Sequence, residues 1–282
     1  MLRTYFSGVE YRTSPGRADV VHVHGLTPAA RVLLRRAHPV VVTVHTDIRT
    51  QGRTAGRPSL QRLARIALRR ADAVVAVSRR VAESFPGSAV VAPAFEPLPP
   101  ASASRDEVRA KLGTPPDRVV VVTAARLHRD KGLDRFVRAV DAAGAEGWIC
   151  GDGPELEPLA ASASGTTVRL FGYRSDIADV FGAADVFALP SVGEAYGIAV
   201  VEALQAGLPV ITTDAGAMRE IVGEAGIVVG ASDEAAFGEA VRDLVSDAPR
   251  RSELAQRARS APMPDPHQLV ERLGDVYRSL VR

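Results

Sequence analysis

Two doubly wound α/β units are what the sequence predicts, on three observations. Nine short β-branched runs recur along the chain, from "ADVVHVH", "HPVVVTVH", "DAVVAVS" and "SAVVAP" to "DRVVVVTAA", "GWIC", "TTVRLFG", "DVFALPS" and "LPVITT". They are continuously apolar instead of alternating, which is the pattern of strands buried on both faces. The segments between them are amphipathic with helical spacing, as crossovers between parallel strands require. The third observation is the break in that rhythm at "APAFEPLPPASAS", residues 92–104, which is rich in Pro and Ser and has no periodicity. Such a stretch reads as a linker. The expected organisation is therefore a first unit over 1–98 and a second over 99–262. The closing helix, 263–282, could pack on either unit, including back on the first.

Composition narrows the class. Of the 282 residues, 46% are hydrophobic and 24% charged, as in an ordinary soluble globular protein. Cys150 is the single cysteine, so no intramolecular disulfide can form, and a reducing compartment fits best. The first 18 residues hold no apolar core of signal-peptide length. No run approaches the ~18 apolar residues of a spanning helix. A cytoplasmic protein is expected.

Net charge is +2, but it is unevenly placed. Residues 1–100 carry 15 Arg against 6 acidic residues, and the rest carries 20 basic against 27 acidic. Genomic bias toward Arg would not sort charge by position. Arg49, Arg53 and Arg57 flank a loop beside His45, and Arg62, Arg65 and Arg69 follow helical spacing. The second trio reads as a solvated helix face. The loop trio would suit a phosphorylated acceptor or an anionic membrane surface. Nucleic acid is not expected, because interleaved aromatics and any known nucleic-acid-binding module are missing.

In doubly wound sheets, ligands bind beyond the carboxyl ends of the strands, so residues just after each strand carry the most information. After 118–125 come Arg126 and Lys131, a guanidinium fork and an ammonium suited to a diphosphate, although isolated surface charges would look the same. After 146–150 comes "GDGPE", where Gly151 and Gly153 permit a tight turn. After 185–190 comes "SVGEAYG", with a helix expected from about Tyr196. Its first amides lack intrahelical partners and suit a phosphate. Glu194 stands ahead of them, and Glu202 lies eight residues on, about two turns if the segment were all helical. The flanks "IAVVEALQAG" argue against an idle surface Glu202, because burial penalises an unpaired carboxylate. One carboxylate would serve a sugar and the other the vicinal hydroxyls of a ribose.

With these residues in order, the chain resembles the retaining glycosyltransferases of family 4, which have the GT-B fold of two Rossmann-like domains facing across a cleft. The resemblance rests on "RLHRDKG", "GDGPE", "FGYRSDI", "ADVFALPS" and the Glu-x7-Glu segment through "MREIV", and covers about residues 19–245. It implies that Glu194 contacts the transferred sugar and Glu202 the ribose. It also implies that Arg126 and Lys131 hold the diphosphate and that Tyr196, Gly197 and Ile198 offer amides to phosphate or sugar. The backbone near Tyr173 and Arg174, with Gly151, would meet the nucleoside. His45, at a strand end, would hydrogen-bond the sugar near the reacting carbon; an ordinary strand-end His is the alternative. Ala125 departs from the Gly usual before the Arg. His22 and His24 share a strand face, but as metal ligands they would need a third partner, and core or cleft histidines are the simpler reading.

The family has two or three further strands and a Gly-rich loop ahead of "ADVVHVHG", for which Gly8 is a poor substitute. An abbreviated first domain is expected, and with it a homo-oligomer or a partner subunit to cover the exposed edge. The functional expectation is retaining transfer from a UDP- or GDP-sugar to an unidentified acceptor. No resident cofactor is expected and, since no Asp-x-Asp occurs, no metal. The other readings are a nucleotide-sugar-binding subunit with little activity alone, and a related enzyme that hydrolyses the donor or couples it to a non-sugar.

Overall fold

The computed structural model describes residues 18–25, 38–45, 68–194 and 196–281, together with Ala29 and Ile66. They fall into two compact units, Met1–Glu96 with Pro264–Arg282, and Pro97–Met263. Gly8 and the arginines at 49, 53, 57, 62 and 65 lie outside the described residues, and Arg69 is exposed.

In the first unit, β1 (Val21–His24), β2 (Val40–Val44), β3 (Ala73–Ala76) and β4 (Ala89–Val90) form one parallel sheet in that order. Strand β2 is buried along its whole length, as the unbroken "VVVTV" requires. Its Val40, Val42 and Val44 join Val23, Val81 and Phe85 on one face, while Val41 and Val75 join Val91 and Leu273 on the other. Leu273 belongs to helix Pro266–Leu280, which covers that second face with Leu269, Val276, Tyr277 and Leu280 as well. These positions recur at helical spacing, giving one apolar stripe. Asp265 caps the helix by accepting from the His267 amide, and Pro266 occupies its first turn.

The second unit is a six-stranded parallel sheet ordered β10-β9-β8-β5-β6-β7. Its strands are β5 (Val120–Ala124), β6 (Glu146–Cys150), β7 (Val168–Leu170), β8 (Val186–Leu189), β9 (Val210–Thr213) and β10 (Gly226–Val229). Renumbered from one within the unit, this is the 3-2-1-4-5-6 order of a Rossmann sheet. Trp148, Phe136, Phe181, Phe187 and Phe237 fill the core and are fully buried. Strand β10, "GIVV", is absent from the expected strands: it is half-buried throughout and begins on a glycine, so it carries neither a long apolar run nor an alternation.

Arg109 is buried to 1% exposure among these apolar groups. Its guanidinium donates to the carbonyls of Ala183, Pro116 and Arg118 and to the Asp185 carboxylate at 2.8 Å. Asp185 also accepts from the Val120 amide. The charge is therefore fully compensated and ties helix Arg105–Lys111 to the amino ends of β5 and β8.

Candidate donor site and the histidine chamber

Strands β5 and β8 are neighbours in the middle of the second sheet, although β6 and β7 lie between them in sequence. From this seam the chain winds outward in both directions, so the loops leaving β5 and β8 diverge and open a crevice at their carboxyl ends. The first loop runs from Ala125 to a 3-10 turn at Arg129–Lys131; the second runs from Pro190 to Gly197, where helix Ile198–Gln205 begins.

These two loops are fastened to each other. The Asp130 carbonyl accepts the amides of Val192 at 2.8 Å and Gly193 at 3.3 Å. Gly132, in the left-handed conformation at φ 61°, lets the loops touch: a Cβ there would stand 2.4 Å from the Pro190 carbonyl oxygen. Between them, Lys131 Nζ donates to Glu194 Oε2 at 2.6 Å, with the two side chains only 16% and 12% exposed. Ser191 Oγ lies 3.5 Å from the same carboxylate oxygen. Arg126 is different. Its side chain is 64% exposed, and its nearest acidic group, Asp130, is 4.0 Å away and already bound by His128 at 2.7 Å. The guanidinium is thus available at the rim while the ammonium sits deeper.

Helix Ile198–Gln205 starts two residues later than the expected Tyr196, because Gly197 takes the left-handed conformation at φ 89° and caps it. Glu194 therefore lies in the loop, and the shared helical face links Glu202 to Ile198, one turn away, instead of to Glu194. Ile198 is 49% exposed at the mouth of the helix. Gly197 is packed tightly, since a Cβ would come within 2.2 Å of the Met218 side chain. Burial together with the nearby Glu220 charge pushes the Tyr196 phenol up to about 12, so it stays protonated. Glu202 is half-buried, and burial raises its carboxyl above the usual range. No hydrogen-bond or ion-pair partner engages its carboxylate among the described residues. A carboxylate so placed favours any ligand that brings two donors.

Gly151 serves the chain itself: a Cβ there would lie 1.9 Å from the Ala125 carbonyl oxygen, and its amide donates to the Gly172 carbonyl at 2.7 Å. Gly153 repeats this against Leu127 O, at 2.3 Å. The "GDGPE" turn thus presses on the "ARL" loop, and the glycines position Arg126 through backbone contact. Arg174 is held by Asp176 in a two-pronged ion pair, at 2.7 and 2.5 Å. Tyr173 beside it is 80% exposed. Everything the sequence nominated in this unit stands at the carboxyl edge of one sheet or in the helix that follows β8.

In the first unit the same strand edge is built otherwise. His22 and His24 stack at 4.6 Å between ring centroids, and His24 stacks on His45 at 5.3 Å. His24 Nδ1 and His45 Nε2 are 3.0 Å apart and share a proton in a hydrogen bond. His22 is held by Thr43 Oγ1 at 2.6 Å and by the Tyr277 hydroxyl at 2.5 Å, the latter from the closing helix. Burial lowers all three imidazoles, and neighbouring imidazoles add to the effect on His22, which falls to about 3, and on His45. They face a cavity of about 160 Å³, walled by Val75, Val77, Pro93 and Leu269 among others. The third histidine that a metal site would need is therefore close by, but the rings lie face to face, and no group of ligands suited to a metal exists among the described residues. The tie from His22 to Tyr277 escaped the sequence, because 255 positions separate the partners.

No helix among the described residues is long and apolar enough to cross a membrane. A family model described as "Glycosyl transferases group 1" matches residues 118–247, and one described as "Glycosyltransferase Family 4" matches residues 6–93. D-inositol 3-phosphate glycosyltransferase of Xylanimonas cellulosilytica is 30% identical over 296 positions, spanning 89% of this chain and 69% of that protein. D-inositol 3-phosphate glycosyltransferase 1 of Catenulispora acidiphila is 29% identical over 315, spanning 95% and 74%. Among solved structures, Anabaena HepE in complex with UDP and glucose superposes with a TM-score of 0.80 at 20% identity, over 93% of this chain and 78% of that one. The fold is that of the GT-B glycosyltransferases, and the chain belongs to glycosyltransferase family 4.

Proposed function

We propose that this glycosyltransferase moves a sugar from a nucleoside diphosphate sugar to an acceptor, with retention of anomeric configuration and without a divalent metal. The observation that supports the reading is the pair of fastened loops that brings Lys131 to Glu194, with Arg126 exposed on the first loop and Glu202 half-buried in the helix that follows the second. Diphosphate charge, which grows as the glycosidic bond breaks, would be taken by the two cations and by the first amides of helix Ile198–Gln205. Glu202 would accept from both ribose hydroxyls, and Glu194 from hydroxyls of the sugar. In same-face attack the leaving phosphate takes the acceptor proton, so no protein nucleophile is required. His45, neutral and oriented by His24, has Nδ1 left over to hydrogen-bond the sugar near its anomeric carbon.

The donor classes expected are UDP- and GDP-sugars. HepE was solved with UDP and glucose, and a mannosyltransferase of Mycolicibacterium smegmatis, 36% identical over 239 residues, is named as GDP-mannose-dependent. The test is a turnover assay with a panel of sugar nucleotides and acceptors, including inositol phosphates and free hexoses, in chelator. Product anomers are read by NMR coupling constants. An α-linked product from an α-linked donor supports the reading; an inverted product, or transfer that requires a divalent cation, contradicts it.

A further inference from the structure

We infer that the Lys131–Glu194 ion pair is a placeholder that only a complete sugar nucleotide can open, so that the site prefers donor over the free nucleoside diphosphate left after transfer. This rests on the donor-site reading above. The pair is not a loose surface contact. Its two loops are locked by the Asp130 carbonyl and by the Gly132–Pro190 approach, and both side chains are more than four-fifths buried. A diphosphate arriving alone competes with Glu194 for Lys131 and brings phosphate oxygens toward that largely buried carboxylate, a like-charge contact in a low-dielectric place. A sugar nucleotide removes both penalties: its phosphate takes Lys131 while its sugar hydroxyls donate to Glu194. Once the sugar has left, those donors are gone, Glu194 returns to Lys131, and the nucleoside diphosphate is released. The same two residues thus bind substrate and discharge product.

The chain suits a direct test, because Lys111 and Lys131 are its only lysines. Lys111 is exposed and serves as an internal standard. Calorimetric titration with UDP, GDP and ADP, each beside its glucose conjugate, should show the unaltered chain binding one conjugate several-fold tighter than the matching diphosphate. Glu194→Gln should tighten the diphosphate by about tenfold, equivalent to ~1.4 kcal/mol, and abolish the preference. In parallel, acetylation with sulfosuccinimidyl acetate followed by peptide mapping should modify Lys131 more slowly than Lys111, and the difference should shrink in Glu194→Gln. Glu194→Asp keeps the charge but withdraws it from Lys131, so it should move both readouts part of the way even if Glu194→Gln folds poorly. Diphosphate binding that is unchanged or weakened in these variants, or Lys131 reacting as fast as Lys111 in the unaltered chain, overturns the inference while leaving the donor site standing. No nucleotide bound by the unaltered chain overturns the donor-site reading, and the inference falls with it.

Discussion

The carboxyl edges of the two sheets handle buried polar groups in opposite ways. On the first sheet, three imidazoles stack around an apolar chamber and desolvation is met by losing protons. On the second, charge is kept: Lys131 and Glu194 compensate each other, while Arg126 stays in solvent. Glu202 does neither, being half-buried with a raised pKa. Histidine can become neutral near physiological pH at small cost, whereas lysine and arginine cannot, so a buried cation needs an anion beside it. The difference teaches where ligand charge belongs. Among the described residues, the exposed Arg126, the Lys131–Glu194 pair and the half-buried Glu202 all belong to the second unit.

The contrast can be broken most forcefully at Gly151. Gly151→Ala would drive a methyl into the Ala125 carbonyl, displacing the loop that carries Arg126. We expect a loss of roughly 3 kcal/mol of stability, seen as a fall in the denaturation midpoint followed by the fluorescence of Trp148, the sole tryptophan and one in the second unit. An unchanged midpoint would show that the two loops can part freely.

Acid should act on the other unit. The folded pKa of His22, about 3, lies below its unfolded value of 6.5, so the folded state binds fewer protons in that interval. The resulting stability is intact above about pH 6.5 and is lost as pH falls toward 3. The loss should approach roughly 5 kcal/mol once pH falls below the folded value. Circular dichroism should therefore show an early transition at pH 4–5 that leaves Trp148 fluorescence unmoved, and His22→Phe should flatten it. A single transition shared by both probes would deny that the histidine edge is the acid-sensitive one. A smaller effect is expected from Tyr277→Phe. Removing the hydroxyl that holds His22 should cost about 1 kcal/mol in the first unit, with nucleotide affinity unchanged.

How much of this was legible in the sequence follows the same division. The second unit's strand-end loops are short and local, so "RLHRDKG", "GDGPE" and the Glu-x7-Glu segment place their residues by proximity to a strand. Those motifs led to the crevice because the Rossmann order puts β5 beside β8. The reason for Gly151 and Gly132 was not legible: it lies in contacts with Ala125 and Pro190, which no local pattern encodes. Arg109 reads as one more helical arginine until Asp185 and three carbonyls, two of them at Pro116 and Arg118, close around it. The histidine chamber was visible only as two residues on one strand face. Thr43, His45 and Tyr277 complete it from distant parts of the chain, and strand alternation says nothing of such partners.

In the proposed donor site, Glu202 is the ribose acceptor. Its most direct test is calorimetric titration of the unaltered chain and Glu202→Ala with UDP- and GDP-sugars. Micromolar binding of one nucleotide class is expected, weakened in Glu202→Ala by about 1–3 kcal/mol, with the variant no less stable than the parent because a half-buried carboxylate that has no hydrogen-bond or ion-pair partner among the described residues has been removed. Equal affinity of the two proteins for the same nucleotide would contradict it.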